Sequence, residues 1–219
     1  MTTGYTGTVI PGGPPATREL TTLAITKVSV GPMDNNAYLL RCRATGQQVL
    51  VDAAAEADRL VALAGPVGLA TVVTTHRHPD HWSALVDVVA ATGARSLAHA
   101  ADAADIPTVT ATLGDGDTIT VGDCPLDVIH LVGHTPGSIA LVHHDADGGT
   151  HLFTGDSLFP GGVGNTFGDP AAFATLIDDV QHKLFDTLPD DTWFYPGHGR
   201  DSTLGAERPH LAGWRARGW

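Results

Sequence analysis

The chain consists of short apolar runs separated by clusters of glycine, proline and polar residues. In its first half, five such runs of four to eight residues are rich in β-branched or alternating apolar side chains, which is typical of strands. They cover residues 23–30, 37–42, 48–51, 70–74 and 94–98. Stretches of helical character precede the last two runs, so strands and helices are predicted to alternate there.

The second half of the chain also contains strand-like runs bounded by turn residues. The turn sequence Asp145-Ala146-Asp147-Gly148-Gly149 predicts that the runs on either side of it form a hairpin. The predicted strands of this half cover residues 118–121, 126–131, 138–143, 150–153 and 193–195.

Three segments have helical character, at residues 55–64, 82–91 and 170–185. The third is the clearest, because it has proline in its first turn and an apolar face. Two groups of strands, each accompanied by helices, predict an α/β fold in which two sheets pack together and the helices cover their outer faces.

Length and composition predict one domain preceded by an arm. Residues 1–19 are rich in glycine, proline and threonine and are predicted to be a flexible arm without regular structure. Residues 20–219 are predicted to form a single domain, since a chain of 219 residues with 42% hydrophobic content is short for two independent cores.

The charge balance limits the classes of partner. The formal net charge is −12, and no cluster of basic residues occurs. We therefore expect neither nucleic acid nor an anionic membrane as a partner, and a small molecule as the substrate. No signal-like segment or apolar run of about 20 residues occurs, which predicts a cytoplasmic protein. The two cysteines, Cys42 and Cys124, are far apart in sequence and are predicted to be buried and reduced.

The strongest chemical signal is the segment His76-Arg77-His78-Pro79-Asp80-His81, which follows a predicted strand. Four chelating residues within six positions are too many for one tetrahedral ion that keeps an open position for water, so they indicate two ions. Burying these side chains together without metal would cost several kcal/mol in desolvation.

Three later residues complete the predicted ligand set, and each follows an apolar run: His134, Asp156 and His198. His76, His78 and His134 are predicted to bind one ion, and Asp80, His81 and His198 the other, with the carboxylate of Asp156 bridging both.

Two ions placed in this way would share a water molecule whose pKa falls towards neutrality, which supplies a hydroxide nucleophile. Asp80 and Asp156, together with that hydroxide, form the predicted catalytic set. No serine or cysteine nucleophile motif is present.

The remaining histidines lack a chelating context and are predicted to be solvated. They are His99, His130, His143, His144, His151, His182 and His210.

From residue 23 to residue 198 the motifs resemble, in order, those of the metallo-β-lactamase superfamily, and most closely its hydroxyacylglutathione hydrolase (glyoxalase II) branch without the C-terminal helical domain. The motifs are Asp52, His76-x-His78-x-Asp80-His81, Gly133-His134-Thr135-Pro136-Gly137, Gly155-Asp156-Ser157-Leu158-Phe159 and Gly197-His198-Gly199, with Asn35-Asn36-Ala37-Tyr38-Leu39 matching a further segment. The resemblance implies an αββα sandwich and a site for two divalent metal ions, zinc or alternatively iron. It also implies hydrolysis of a thioester or related ester, and a role for Asp52 in orienting the ligand loop.

Several alternatives remain open. The segment Gly161-Gly162-Val163-Gly164-Asn165 lacks the cysteine and arginine of the glyoxalase II pattern, which leaves the substrate and its contacts unknown. Three other activities are compatible with the motifs: those of a mononuclear iron persulfide dioxygenase, a lactonase and a β-lactamase-type hydrolase. Candidate substrate contacts are Arg77, Arg200 and the glycine-rich loop 159–168, and the segment 207–219 is predicted to pack on the domain or on a second subunit.

Overall fold

The computed structural model describes residues 4–218, in which two mixed β-sheets face each other. The first sheet is built from seven consecutive strands in the order β1 to β7. Neighbouring strands from β1 to β4 are antiparallel, and neighbouring strands from β4 to β7 are parallel. These strands are β1 Ala16–Glu19, β2 Leu23–Val30, β3 Asn35–Cys42, β4 Gln48–Val51, β5 Thr71–Thr74, β6 Arg95–His99 and β7 Ala111–Leu113.

The second sheet takes up the other half of the chain. Its first four strands are antiparallel neighbours, and a parallel strand and a short antiparallel edge strand complete it. The strands are β8 Thr118–Val121, β9 Cys124–His130, β10 Ile139–His144, β11 Thr150–Gly155, β14 Trp193–Pro196 and β15 Ser202–Thr203, while β12 Leu158–Phe159 and β13 Gly162–Val163 form a separate hairpin.

Helices cover both outer faces. Two helices pack on the first sheet, and the remaining helical segments lie on the second. The helices are α1 Ala57–Ala64, α2 Leu85–Thr92, α3 Pro170–Asp179, α4 Leu204–Glu207 and α5 Leu211–Arg217, and a π-helical segment, Val180–Phe185, continues α3. The predicted α/β fold and αββα sandwich are therefore confirmed.

Strand β3 shows why both faces of the sheet are apolar. Tyr38 and Leu40 point into the core between the sheets, whereas Ala37 and Leu39 point into the core beneath α1 and α2. Successive side chains of a strand alternate between its faces, so a strand buried on both sides is apolar at nearly every position.

The elements differ from the sequence predictions in three respects. Strand β1 lies inside the segment predicted to be an irregular arm, because it pairs with β2 from Ala16 onward. The predicted helix 170–185 is α-helical only to Asp179, and its last turn widens into a π-helix. Strands β7, β12, β13 and β15 were not predicted, since two or three residues carry too little pattern. None of the helices between residues 4 and 218 has the length and hydrophobicity needed to cross a bilayer.

Candidate metal centre

The loops at one end of the sandwich bring together all seven residues predicted as metal ligands. The first sheet supplies the segment from His76 to His81, which follows β5 and closes with a 3-10 turn, Pro79–His81. The second sheet supplies His134, Asp156 and His198, which follow β9, β11 and β14. Loops held at the ends of rigid strands can position side chains from distant parts of the sequence.

Three imidazoles form the first group, and their nitrogen atoms converge. His76 Nε2 lies 3.1 Å from His78 Nδ1 and 3.2 Å from His134 Nε2. His76 and His134 are buried, and His78 is partly exposed. Three facing nitrogen atoms of this kind suit a cation that accepts all three lone pairs.

The second group combines two imidazoles with a carboxylate. His81 Nε2 lies 3.2 Å from His198 Nε2, and Asp80 Oδ2 lies 3.3 Å from His198 Nε2 and 3.5 Å from His81 Nε2. His81 is buried, whereas Asp80 and His198 are partly exposed. This group therefore faces the solvent side of the cluster.

Asp156 lies between the two groups. Its Oδ2 is 3.7 Å from His134 Nε2 and 3.5 Å from His198 Nε2, and its Oδ1 is 3.4 Å from His81 Nε2. Oδ1 is buried and accepts no hydrogen bond from the described residues. Buried carboxylate oxygens normally have a partner. This oxygen and the donor set of five imidazoles and two carboxylates therefore fit divalent metal.

Outer partners fix two of the imidazoles, those of His81 and His134. Asp52 Oδ2 lies 2.8 Å from His81 Nδ1, and the same carboxylate accepts hydrogen bonds from the backbone N–H and hydroxyl of Thr75. His134 Nδ1 lies 2.7 Å from the carbonyl oxygen of Asn165. Such partners fix the tautomer and the ring orientation, which leaves Nε2 available for a cation. The position of Asp52 agrees with its predicted orienting role.

Two further residues support the ligand loops, and neither was predicted as a site residue. Asn35 donates from Nδ2 to Asp80 Oδ2 at 2.9 Å. The buried Asp102 accepts hydrogen bonds from Arg77 N at 2.9 Å and from the Thr135 hydroxyl at 2.6 Å, so it joins the loop after β5 to the loop after β9. Asp102 lies outside every recognised motif, and only the fold brings it to both loops.

The two groups differ in proton affinity. Burial is the largest cause of the lowered pKa values of His76, His78 and His134, so these imidazoles are neutral at pH 7. Burial also opposes protonation of His81, but Asp52 and Asp156 outweigh it and raise the pKa of His81 to about 10. Burial opposes ionisation of Asp156, yet His198 and His81 hold its pKa well below the usual value.

Glycines allow the backbone to approach the ligands closely. A β-carbon at Gly197 would overlap Asp156 Oδ1 and lie 2.7 Å from His81 Cε1. A β-carbon at Gly164 would overlap the Asp156 carbonyl oxygen. Both motifs therefore require glycine for steric reasons.

The candidate substrate contacts have different surroundings. Arg77 forms an ion pair with Asp105 at 2.8 Å, and Arg200 is exposed. Phe167, in the glycine-rich loop 159–168, is exposed. The centroid of its ring lies 5.6 Å from that of the His78 ring and 6.0 Å from that of the His134 ring. Phe167 was not predicted individually.

The prediction that the other histidines are solvated is wrong for three of them. His99, His143 and His151 are buried. His151 Nδ1 lies 3.0 Å from the Tyr195 hydroxyl, and His143 Nδ1 lies 3.0 Å from the carbonyl oxygen of Pro125. These polar partners offset the desolvation of the rings, which a sequence pattern does not reveal.

Comparison with known proteins identifies the family. The family model of the metallo-beta-lactamase superfamily matches residues 30–198. The chain belongs to the metallo-beta-lactamase superfamily. Among its relatives, a hydroxyacylglutathione hydrolase from Fuscovulum blasticum is 38% identical over 167 residues, which is 75% of this chain and 62% of that protein. The chain thus spans about three fifths of the length of that relative.

Solved structures of this superfamily share the fold. The crystal structure of ETHE1 from Myxococcus xanthus has a TM-score of 0.76 and 28% identity, with 86% of this chain and 84% of that chain covered. TTHA1623, solved in a di-iron-bound form, has a TM-score of 0.68 and 32% identity, with 83% of this chain and 96% of that chain covered. Superfamily membership and the His/Asp cluster together indicate a divalent-metal site.

Proposed function

We propose that this protein is a binuclear metal-dependent hydrolase that cleaves a thioester or a related ester. The observation that carries the proposal is the pair of three-residue groups, His76/His78/His134 and Asp80/His81/His198, whose ligand atoms lie within 4.8 Å of one another in each group. Asp156 lies between the groups and would contact both ions. Zinc is the proposed metal, because tetrahedral imidazole and carboxylate sites with an open position are typical of catalytic zinc.

Two relatives support this proposal. The relative from Fuscovulum blasticum is named a hydroxyacylglutathione hydrolase, and a hydroxyacylglutathione is a thioester. TTHA1623 holds two iron ions, which supports two ions in a chain 32% identical to it. Bound ions would activate water as a nucleophile at neutral pH and polarise the carbonyl under attack.

The residues of the chain position this chemistry. Asp52 and Asn35 hold His81 and Asp80 in place, and the carbonyl of Met33 accepts the hydrogen bond of His198 Nδ1 at 2.8 Å. Met33, whose carbonyl contacts His198, and Phe167, whose ring lies near His78 and His134, are on different loops and have exposed side chains. We propose that they contact the apolar part of a small-molecule substrate.

The proposal is tested by metal content and hydrolysis together. Protein purified without added metal should contain about two metal ions per chain. It should hydrolyse S-lactoylglutathione or another thioester in a panel that includes lactones, phosphoesters and a chromogenic lactam. Asp156→Asn should lose bound metal and at least about a hundredfold in rate. Asp186→Asn, a change at an exposed aspartate, should retain both. Full metal content and full activity in Asp156→Asn would contradict the proposal.

A second candidate activity is an oxygen-dependent reaction at a single iron ion. His76, His81 and Asp156 form a third group of close ligand atoms, and two histidines with one carboxylate are the usual ligands of such iron. One iron ion per chain, with oxygen consumption on addition of a persulfide, would favour this candidate over the binuclear hydrolase.

A further inference from the structure

Cys42 and Cys124 lie at the end of the sandwich opposite the metal centre. Cys42 is the last residue of β3, and Asn35, which contacts Asp80, is the first. The length of this strand separates the cysteine from the ligand loops by about 20 Å. An inference about the cysteines therefore does not rest on the proposed function.

The two thiols belong to different sheets and lie in the same core cluster between them. Cys42 closes β3 in the first sheet, and Cys124 opens β9 in the second. The carbonyl oxygen of Thr22 accepts hydrogen bonds from Cys124 Sγ and from the backbone N–H of Arg43, the residue after Cys42, so the two cysteines are neighbours. Cys42 Sγ also accepts a hydrogen bond from the backbone N–H of Thr45 at 3.5 Å.

The turn between β8 and β9 is packed directly against Cys42. A β-carbon at Gly122 would lie 2.9 Å from Cys42 Cβ and 3.0 Å from its Sγ. Cys124 Sγ is 3.3 Å from the carbonyl oxygen of Thr22, whose neighbour Leu23 pairs with Cys42. Both cysteines are thus held beside the point where the chain enters β2.

Only a thin layer of chain covers the pair. Cys42 and Cys124 are 1% and 3% exposed, but Arg43, Thr45 and Asp123 beside them are exposed. A local opening of the β8–β9 turn would admit a small reagent, since short turns at the edge of a fold open more readily than its core.

We propose that Cys42 and Cys124 form a reversible disulfide that links the two sheets when the protein meets a small-molecule disulfide oxidant. Both side chains lie in the core between the sheets and beside the carbonyl oxygen of Thr22, so a small local movement suffices to bring their β-carbons within the roughly 4.5 Å that a disulfide requires. The chain contains two cysteines, so no other intramolecular pairing is available.

The order of attack follows from the surroundings of each thiol. Burial would raise the pKa of Cys42, but hydrogen bonds from Thr45, Asp123 and Ala44 outweigh it and lower the pKa to about 7. Burial and the neighbouring Cys42 raise the pKa of Cys124 to about 11. Cys42 is therefore the attacking thiolate.

The exchange has two steps. The Cys42 thiolate attacks one sulfur of the oxidant, and the other sulfur leaves as a thiolate. Cys124 then loses its proton to that thiolate and attacks Cys42 Sγ, which expels the second small molecule as a thiolate. This thiolate takes up from solvent the proton that Cys42 released when it ionised. Two protein thiols are oxidised, and one small disulfide is reduced to two thiols.

Oxidised glutathione is a suitable reagent, and alkylation of the denatured protein gives the readout. The two cysteines should both be alkylated before oxidation, and neither should be alkylated after it. The oxidised chain should run as a monomer on a non-reducing denaturing gel. Its melting temperature should rise by about 5 to 15 °C, because the cross-link closes a long loop of the unfolded chain, and a reductant should reverse the shift.

A cysteine variant tests the order of attack. Cys124→Ala should stop after the first step and retain one glutathione on Cys42, with no rise in melting temperature. Two alkylatable cysteines in the wild-type protein after oxidation would overturn the proposal, as would disulfide-linked dimers or a glutathione adduct that persists on the wild-type chain. The wild-type alkylation assay decides even if the variant does not fold.

Discussion

Gly197 shows how a single residue without a functional group controls the metal centre. Its backbone passes so close to Asp156 and His81 that any side chain would displace one of them. The carboxylate of Asp156 is also the group placed between both clusters of imidazoles. The geometry of the cluster thus depends on the absence of a β-carbon as well as on the ligands.

Gly197→Ala is expected to reduce bound metal and to lower kcat/KM of the proposed hydrolysis by at least about a hundredfold. Gly213→Ala is the matched control, because a β-carbon there meets no atom within 4 Å and the residue lies in α5. Metal analysis and steady-state kinetics of both variants measure the effect. Equal metal content in the two variants would contradict the steric argument.

Competition between protons and metal at the histidines predicts that ions bound at the two proposed sites respond differently to pH. His81, with a pKa raised to about 10 mainly by Asp52 against the effect of burial, must release a proton before it can bind metal. His76, His78 and His134 are already neutral at pH 7 because burial lowers their pKa values.

The affinity for the ion held by Asp80, His81 and His198 should therefore rise about tenfold per pH unit between pH 7 and 9. The affinity for the ion held by His76, His78 and His134 should change little. Competition titrations with a chromophoric chelator at several pH values would measure both affinities. Identical pH slopes for the two ions would contradict this assignment of protons.

Helix α2 is the element that follows the main ligand loop, and one of its faces anchors that loop on the first sheet. Val88 is fully buried on this face, whereas Val86, two residues earlier, is 47% exposed. The same residue type thus occurs in opposite environments within one helix.

Val88→Ala is expected to lower the free energy of unfolding by about 2 kcal/mol, because it removes two buried methyl groups and leaves a cavity. Val86→Ala should change it by less than about 0.5 kcal/mol. Chemical denaturation of both variants gives the comparison. Equal losses would show that α2 does not pack as described.

The elements also show what a sequence can and cannot predict. His76 to His81, His134, Asp156 and His198 were predicted because chelating residue types at strand ends are visible in the sequence. The partners of His134 and His198 are backbone carbonyls, which have no residue-type signature. The π-helical turn has no residue-type signature either. It places Phe185 beside Trp214, with ring centroids 6.2 Å apart, and these two residues pack together only in the folded chain.

At the scale of the whole molecule, the metal centre lies where the two sheets meet. Each three-residue group takes two residues from loops of the first sheet and one from the second: His134 in one group and His198 in the other. Bound ions would therefore tie the sheets together as well as supply chemistry.

Removal of metal should consequently destabilise the whole sandwich. At a free metal concentration about 1,000 times Kd, binding of one ion adds about 4 kcal/mol to the free energy of unfolding. Treatment with a chelator should lower the melting temperature by about 10 °C or more, and re-addition of zinc should restore it. Calorimetry before and after chelation measures the shift. An unchanged melting temperature after verified metal loss would contradict a structural role for the ions.

The division of the sandwich into two consecutive halves has a consequence for the newly made chain. Residues 16–113 contain every strand of the first sheet, yet neither three-residue group is complete within them. The first group is completed only by His134, and the second only by His198, near the end of the described chain. If both groups bind cations as proposed, the first site can form once the ribosome has added His134, and the second only after β14 and His198 have followed.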